Sequence, residues 1–278
     1  GFESIKINFK LLKLCKNLLI ANKETIICGG DVFLNNAKKN KCNILPIDSE
    51  HHCIDFFLKN FKFKKEDIKT IYLTASGGPF LNKKIVYNEK ISNVLKHPNW
   101  KMGKKISVDS STFANKVLEL FEAKILFKIP SSKIKIIIES NSVVHSVINF
   151  NNNISFQVLH KANMEIPISN ALNLKNKFLL QPESLNIKFF EPNLKKFPIV
   201  NLGYEILNKL GQSGMIYFTV INQRLVESYL KNEINYGEIS KILVKTFKNK
   251  SILKKSKSKI NSYDDIIKTI AEAEKIKI

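Results

Sequence analysis

The chain has 278 residues, 44% of them hydrophobic, and a formal net charge of +21; this excludes a largely disordered protein and allows one large domain or two modest ones. The charge would suit nucleic acid or a membrane surface, but Arg224 is the single arginine among 45 basic residues, and phosphate and base recognition favours the guanidinium fork. With its abundant Asn and Ile, the lysine excess reads as an A+T-rich coding bias, so neither nucleic acid nor membrane is an expected partner.

In chain order, Ile5–Lys16 reads as a helix and Leu18–Ala21 as a short buried strand. Glu24–Lys39 reads as a helix, Asn43–Ile47 as a second strand and Ile71–Thr74 as a third, an order that suggests α/β layers. Cys15, Cys28, Cys42 and Cys53 have apolar neighbours and no C-x-x-C spacing, as expected of buried free thiols. Ser76-Gly77-Gly78-Pro79 breaks regular structure. A long aperiodic stretch follows to Lys101 and suits a lid. Ser110–Phe127 is the strongest helix pattern, with Asp109, Ser110, Ser111 and Thr112 as N-cap candidates. Ile134–Ile138, Ser142–Phe150 and Ile154–Leu159 read as antiparallel strands. Pro182, Pro192 and Pro198 mark a linker, and from Ile199 onward the pattern is helical. No apolar run is long enough to span a membrane, and no signal peptide is visible. The start at Gly1, directly in a helical pattern, suggests a fragment or a processed chain.

Three constellations can carry chemistry. Asp48-Ser49-Glu50-His51 follows an apolar strand, where α/β folds place ligand groups; its oxygen ligands suit Mg²⁺ or Mn²⁺, and an ordinary N-cap turn is the alternative. Ser76-Gly77-Gly78 lets backbone approach an anion, and is equally turn chemistry. Asn115 and Glu119 are one helical turn apart and share a face, with Lys116 beside them. There the helix start could hold a phosphate through Ser110, Asn115 and Lys116, unless the segment is a solvated helix with a capping cluster. His97 in the lid is the best histidine ligand candidate, whereas His51, His52 and His160 could be structural and His145 reads as a core residue.

Taken together, Leu19-Ile20-Ala21-Asn22-Lys23-Glu24, Pro46-Ile47-Asp48-Ser49-Glu50-His51, Ser76-Gly77-Gly78-Pro79-Phe80, His97-Pro98-Asn99-Trp100-Lys101-Met102-Gly103 and Val108-Asp109-Ser110 with Asn115-Lys116 and Glu119 resemble, in order and spacing, the 1-deoxy-D-xylulose 5-phosphate reductoisomerases. That family rearranges and reduces a phosphorylated sugar with NADPH in non-mevalonate isoprenoid biosynthesis. The resemblance implies an α/β protein: residues 1–48 as the end of a Rossmann-like dinucleotide-binding domain, 49–174 as an α+β catalytic domain with a lid at 77–102, 175–198 as a linker and 199–278 as a helical domain.

It also implies roles. Asp48, Glu50 and Glu119 would bind Mg²⁺ or Mn²⁺. Lys23, Glu50 and His97 would be catalytic. Ser49, Glu50, Ser76, His97, Trp100, Ser110, Asn115, Lys116 and Glu119 would bind the substrate. Asn22, Glu24, Gly103 and Met164 would touch NADPH, and Ser142 and His145 would belong to the wall. A homodimer in a bacterial cytoplasm, or in a plastid, is expected. The family's glycine-rich dinucleotide fingerprint is absent. Its His-Pro-Gln-Ser stands here as Glu139-Ser140-Asn141-Ser142, its Pro-Asp-Met as Ala162-Asn163-Met164, and its Asn-Ala-x-Asn-Glu as Thr219-Val220-Ile221-Asn222-Gln223. These departures bear on cofactor affinity and lid docking more than on the metal. A working reductoisomerase and a degenerate metal and sugar-phosphate binder without reductase activity are the two readings.

Overall fold

The computed structural model describes residues 1–278 except 62, 176, 179 and 182–185. Pro182 and the middle of the expected linker therefore lie outside the described residues. The chain opens with α1 (Ile5–Leu11), β1 (Asn17–Ile20), α2 (Lys23–Lys39), β2 (Asn43–Pro46) and α3 (Ser49–Asn60). β1 and β2 pair in parallel, from Asn17 opposite Asn43 to Ile20 opposite Pro46, as a strand–helix–strand crossover requires. Helix α1 stops at Leu11, short of the expected Lys16, because the next amides tighten into three-residue turns, Lys13 to Lys10 and Leu14 to Leu11.

Helix α2 is kinked at Gly30, whose φ of 50° and ψ of −141° leave the helical region. The kink frees the Cys28 carbonyl, and the Gln212 side chain donates to it at 2.9 Å. A Cβ on Gly30 would lie 2.2 Å from the same amide, so glycine is needed both for its φ and for the space.

The main sheet has five strands: β3 (Ile68–Ala75), β4 (Ile134–Glu139), β5 (Val144–Phe150), β6 (Ser155–Leu159) and β7 (Phe189–Phe190), in the order β6-β5-β3-β4-β7. β3 is central, parallel to β4 and antiparallel to β5. The expected β5–β6 hairpin forms. β4 does not pair with β5 as expected; it lies across β3 and pairs with β7, a strand inside the expected linker. Such pairings between distant segments leave no local pattern to read.

The expected helix Ser110–Phe127 is two helices, α5 (Lys104–Thr112) and α6 (Ala114–Phe127), with α4 (Ile91–Val94) before them. Phe113 separates them at φ 67°. Ser110, Ser111 and Thr112 thus end one helix rather than capping the next. The Ser111 hydroxyl donates to the Val108 carbonyl at 2.6 Å, and the Thr112 hydroxyl bonds back to Val108 and Asp109 while accepting from the Ala114 amide. Ser and Thr side chains here supply what the helical ladder would otherwise provide, and Phe113 is held by the Phe197 ring 4.2 Å away.

Helices α7 (Glu165–Ala171), α8 (Ile199–Lys209), α9 (Gly211–Leu230), α10 (Tyr236–Thr246), α11 (Lys250–Lys255) and α12 (Tyr263–Glu274) complete the described elements. The apolar side chains of α8, α9, α10 and α12 join those of α2 and α6 in one buried cluster that reaches from Phe2 to Ala273. Among the described residues, no helix is long and apolar enough to cross a membrane. The four cysteines are free thiols.

Candidate functional site

Strand β2 ends at Pro46, and α3 begins at Ser49. Asp48 and Glu50 therefore stand at the carboxyl end of a parallel strand, where the chain turns into a helix. Glu119 comes from the middle of α6 and reaches the same point. One carboxylate oxygen from each of Asp48, Glu50 and Glu119 lies within 4.8 Å of the other two. They line a cavity of about 330 Å³ together with Lys23, Ser49, Ser76, His97, Trp100, Gly103, Ser110, Asn115, Lys116, Ser142, His145 and Met164. Of the residues expected at the site, Asn22 and Glu24 alone are missing from this wall. Asn22 caps α2 through the Thr25 amide, and Glu24 is held by Asn22 at 3.0 Å and by Lys105 at 2.7 Å.

Two ammonium groups thread the carboxylates. Lys23 is 2.9 Å from Asp48, 3.9 Å from Glu119, and donates to Asn115 at 2.9 Å. Lys116 donates to both Glu50 and Glu119, and it lines the cavity beside Ser110 and Asn115. Asn115 donates to Glu119 at 2.6 Å, as expected of partners one turn apart. Burial and the neighbouring Glu50 push the Glu119 carboxyl up to about 8. Burial also disfavours the charged form of Asp48, but Lys23 and His51 outweigh it and hold that carboxyl far below its ordinary range. Crowded buried carboxylates with oxygen-only donors are the environment in which a divalent cation relieves mutual repulsion. The residues present fit Mg²⁺ or Mn²⁺.

Beneath them lies a second group that sequence reasoning treated as structural or passed over. His51 is fully buried, its Nε2 donates to the Glu119 carbonyl at 2.9 Å, and its Nδ1 is 3.4 Å from Glu122 and 3.6 Å from Asp48. Burial would lower the His51 pKa, but Glu122 and Asp48 raise it to about 9, so the ring is cationic near neutrality. The available signal was spacing: Glu122 follows Glu119, and His51 follows Asp48, by three residues on a helix.

The opposite wall is built from loops. Ser76 follows β3, and Gly78, at φ 65°, packs so tightly on α5 that a Cβ would lie 2.9 Å from the Ser110 carbonyl oxygen. That approach brings Ser76 and Ser110 to one side of the cavity. The His97 Nδ1 accepts from the amides of Asn99 at 3.2 Å and Trp100 at 3.0 Å, so its proton sits on Nε2 and points at the Ser76 hydroxyl 2.9 Å away. Burial, reinforced by Lys116, lowers the His97 pKa to about 4, so the ring is a neutral donor. Asn99 then pins the lid to the sheet through the Ser140 carbonyl at 2.6 Å and the Ser142 hydroxyl at 2.9 Å. Glu139, where the sequence departs from the resembled pattern, accepts from the amides of Asn141, Val143 and Val144 and shapes the turn that receives Asn99.

Above the carboxylates, Trp100 meets His145 edge-on with ring centroids 6.1 Å apart. Burial and the stacked His160 lower the His145 pKa to about 3. Ser49 links the floor to this wall: its hydroxyl lies 2.6 Å from Glu50 and 3.0 Å from the His145 Nδ1, and its one proton serves one of them at a time. Met102, Ile106 and Met164 line the cavity at its apolar side.

Known proteins are similar to this chain in sequence and fold. Residues 44–127 match the family model of the 1-deoxy-D-xylulose 5-phosphate reductoisomerase C-terminal domain, and residues 159–276 match a second, the DXP reductoisomerase C-terminal domain. A 1-deoxy-D-xylulose 5-phosphate reductoisomerase of Pelagibacter ubique (strain HTCC1062) is 38% identical over 277 residues, covering 96% of this chain and 70% of that protein. One from Wolbachia pipientis subsp. Culex pipiens (strain wPip) is 39% identical over 260 residues, covering 91% of this chain and 65% of that protein. A crystal structure of DOX-P reductoisomerase in complex with NADPH, fosmidomycin and magnesium superposes with a TM-score of 0.90 at 32% identity, over 99% of this chain and 72% of that one. The Zymomonas mobilis enzyme in complex with NADPH gives 0.82 at 26% identity, over 99% of this chain and 71% of that one. The chain thus spans about two thirds to seven tenths of the relatives it matches. With two family models together covering most of its length, and relatives aligned almost end to end along it, the chain belongs to the 1-deoxy-D-xylulose 5-phosphate reductoisomerase family.

Proposed function

We propose that the chain carries the metal and sugar-phosphate site of a 1-deoxy-D-xylulose 5-phosphate reductoisomerase, which converts its substrate to 2-C-methyl-D-erythritol 4-phosphate with NADPH and Mg²⁺ or Mn²⁺. The observation that carries this is the meeting of Asp48, Glu50 and Glu119 in one cavity with Ser76, His97 and Ser110. Asp48, Glu50 and Glu119 would hold the divalent ion, and Gly103 and Met164 would meet NADPH. The ion supplies Lewis-acid polarisation of substrate oxygens, and NADPH the hydride.

The chain's own residues do the rest. Ser76, Ser110, Asn115 and the neutral Nε2–H of His97 bind the phosphate near the first turn of α6, where the helix dipole favours an anion. That grip is remote from the reacting carbons and positions them. Lys116 balances charge between the phosphate and Glu50. Lys23 and Ser49 orient the substrate's polar groups, and the Glu50 carboxylate, kept charged against burial by Lys116, accepts from the Ser49 hydroxyl and fixes its direction. Trp100 covers the substrate, and the Asn99 clasp onto Ser142 holds the lid that excludes water. Asn22 and Glu24 serve the cofactor side by fixing the start of α2. Residues 1–48 read as the end of a dinucleotide-binding unit and 49–174 as the catalytic one, with 199–278 as a supporting helical part, and the chain would work as a homodimer.

The test is Mg²⁺-dependent binding of fosmidomycin by calorimetry, together with NADPH consumption on 1-deoxy-D-xylulose 5-phosphate. Removing groups that merely support a metal ligand costs about 10–100-fold in affinity, so Glu119→Gln should cost at least about 100-fold. Unchanged binding in that variant would remove the metal assignment. Intact binding without any NADPH turnover would leave a binding protein rather than a reductase.

A further inference from the structure

Outside this site lies a second cavity, an open groove of about 840 Å³ between α10, the segment entering α8, and the loop after Pro79. Its floor is apolar and largely buried, with Phe197 and Tyr236 at the bottom and Ile85, Tyr87 and Val244 at the sides. Its rim is cationic. Lys241 and Lys245 stand one turn apart on α10, on the side that also carries Val244, and Lys248 follows in the turn after the helix. Lys84 and Lys195 converge on them from two other segments. No acidic side chain lines the groove, and among the described residues none of these five lysines is in an ion pair.

Lys196 shows the contrast. Its ammonium donates to the carbonyls of Phe80, Leu81 at 3.1 Å and Lys83 at 2.6 Å, and so builds the wall rather than the rim. A coding bias towards lysine accounts for their number, but not for five of them facing one apolar floor without a carboxylate. Like charges one helical turn apart repel, and an anion among them removes that cost.

We propose that the groove binds an amphipathic organic anion. Its apolar body lies on Tyr87, Phe197 and Val244, and its sulfonate, carboxylate or phosphate head lies among Lys84, Lys195, Lys241 and Lys245. The groove's size is that of a small-molecule site rather than a flat contact face. It also adjoins the lid: Tyr87 lies between Gly78 and His97, and its carbonyl accepts from the Gly237 amide at 2.7 Å.

The probe is 8-anilinonaphthalene-1-sulfonate, an apolar ring system with one anionic head. Titration by fluorescence should show one saturable, salt-sensitive site per chain that fosmidomycin with Mg²⁺ does not displace. The double variant Lys241→Glu/Lys245→Glu should weaken binding at least tenfold with an unchanged melting temperature, and Lys241→Gln/Lys245→Gln should weaken it less. The proposal falls if no site saturates, if charge reversal leaves binding unchanged, or if fosmidomycin competes. It also falls if the chain instead sediments with phosphatidylglycerol vesicles while the probe fails to saturate, which would make the groove a membrane face.

Discussion

His97 shows how a single side chain is prepared by its backbone. Two amides, from Asn99 and Trp100, occupy its Nδ1, which fixes the tautomer before any ligand arrives. Burial and Lys116 disfavour the imidazolium. Since the cation is the disfavoured form, the ring stays neutral as pH falls through the ordinary histidine range and gains its proton only near pH 4. NMR of the ligand-free protein should therefore show no His97 titration between about pH 6 and 8. A midpoint near 6.5 would mean that the amide clasp is not made. At this scale spacing put Asp48 and Glu50 after a strand and Asn115 and Glu119 on one helix face, but left a capping turn and a solvated helix as alternatives. The resemblance to the family supplied the metal reading, and the structure brings the four side chains to one cavity. Glu122 and the buried cationic state of His51 were not legible, because a carboxylate on a helix looks the same in sequence whether it faces solvent or a buried ring.

The elements of the site depend on close approaches that only small residues allow. Gly78 brings the Ser76 loop onto α5, and Gly203 brings α8 onto α6, where a Cβ would lie 2.6 Å from a Val117 methyl. By helix propensity alone, Gly203→Ala would stabilise the protein by about 1 kcal/mol. Because overpacking costs about 1–3 kcal/mol, denaturant unfolding should show a net loss, partly recovered when Val117→Ala is added. A net gain would show that the helices shift apart at no cost. The break between α5 and α6 was not legible, because neither glycine nor proline marks it. It is produced by Ser111 and Thr112 bonding backwards and by Phe113 packing on a ring 84 residues later in the chain. The β5–β6 hairpin was legible from its asparagine turn, whereas β4 reaches its place through long-range pairing with β3.

Across the whole molecule, the helical third is tied to α5 and to the residues that lead into α1. Asn222 donates to the buried Asp109 at 2.8 Å, and Gln223 meets the Phe2 amide and Glu3. The shared apolar cluster makes the same connection. A chain cut after residue 198 should therefore lose its cooperative thermal transition by circular dichroism, rather than keep a stable catalytic half. A sharp transition in the shortened chain would show that the two parts fold separately. The switch to a helical pattern at Ile199 was legible, but its packing onto α2 was not, since the joining contacts are between residues some 200 positions apart.

The kink at Gly30 sets an order on these events. The carbonyl it releases is met by Gln212, 184 residues downstream, and a buried carbonyl without a partner costs about 1–3 kcal/mol. On a ribosome, α2 is made early, yet its mid-point cannot be completed until α9 has emerged. Until then the nascent chain must carry α2 as an unfinished helix, completed by one side-chain amide from 184 residues downstream.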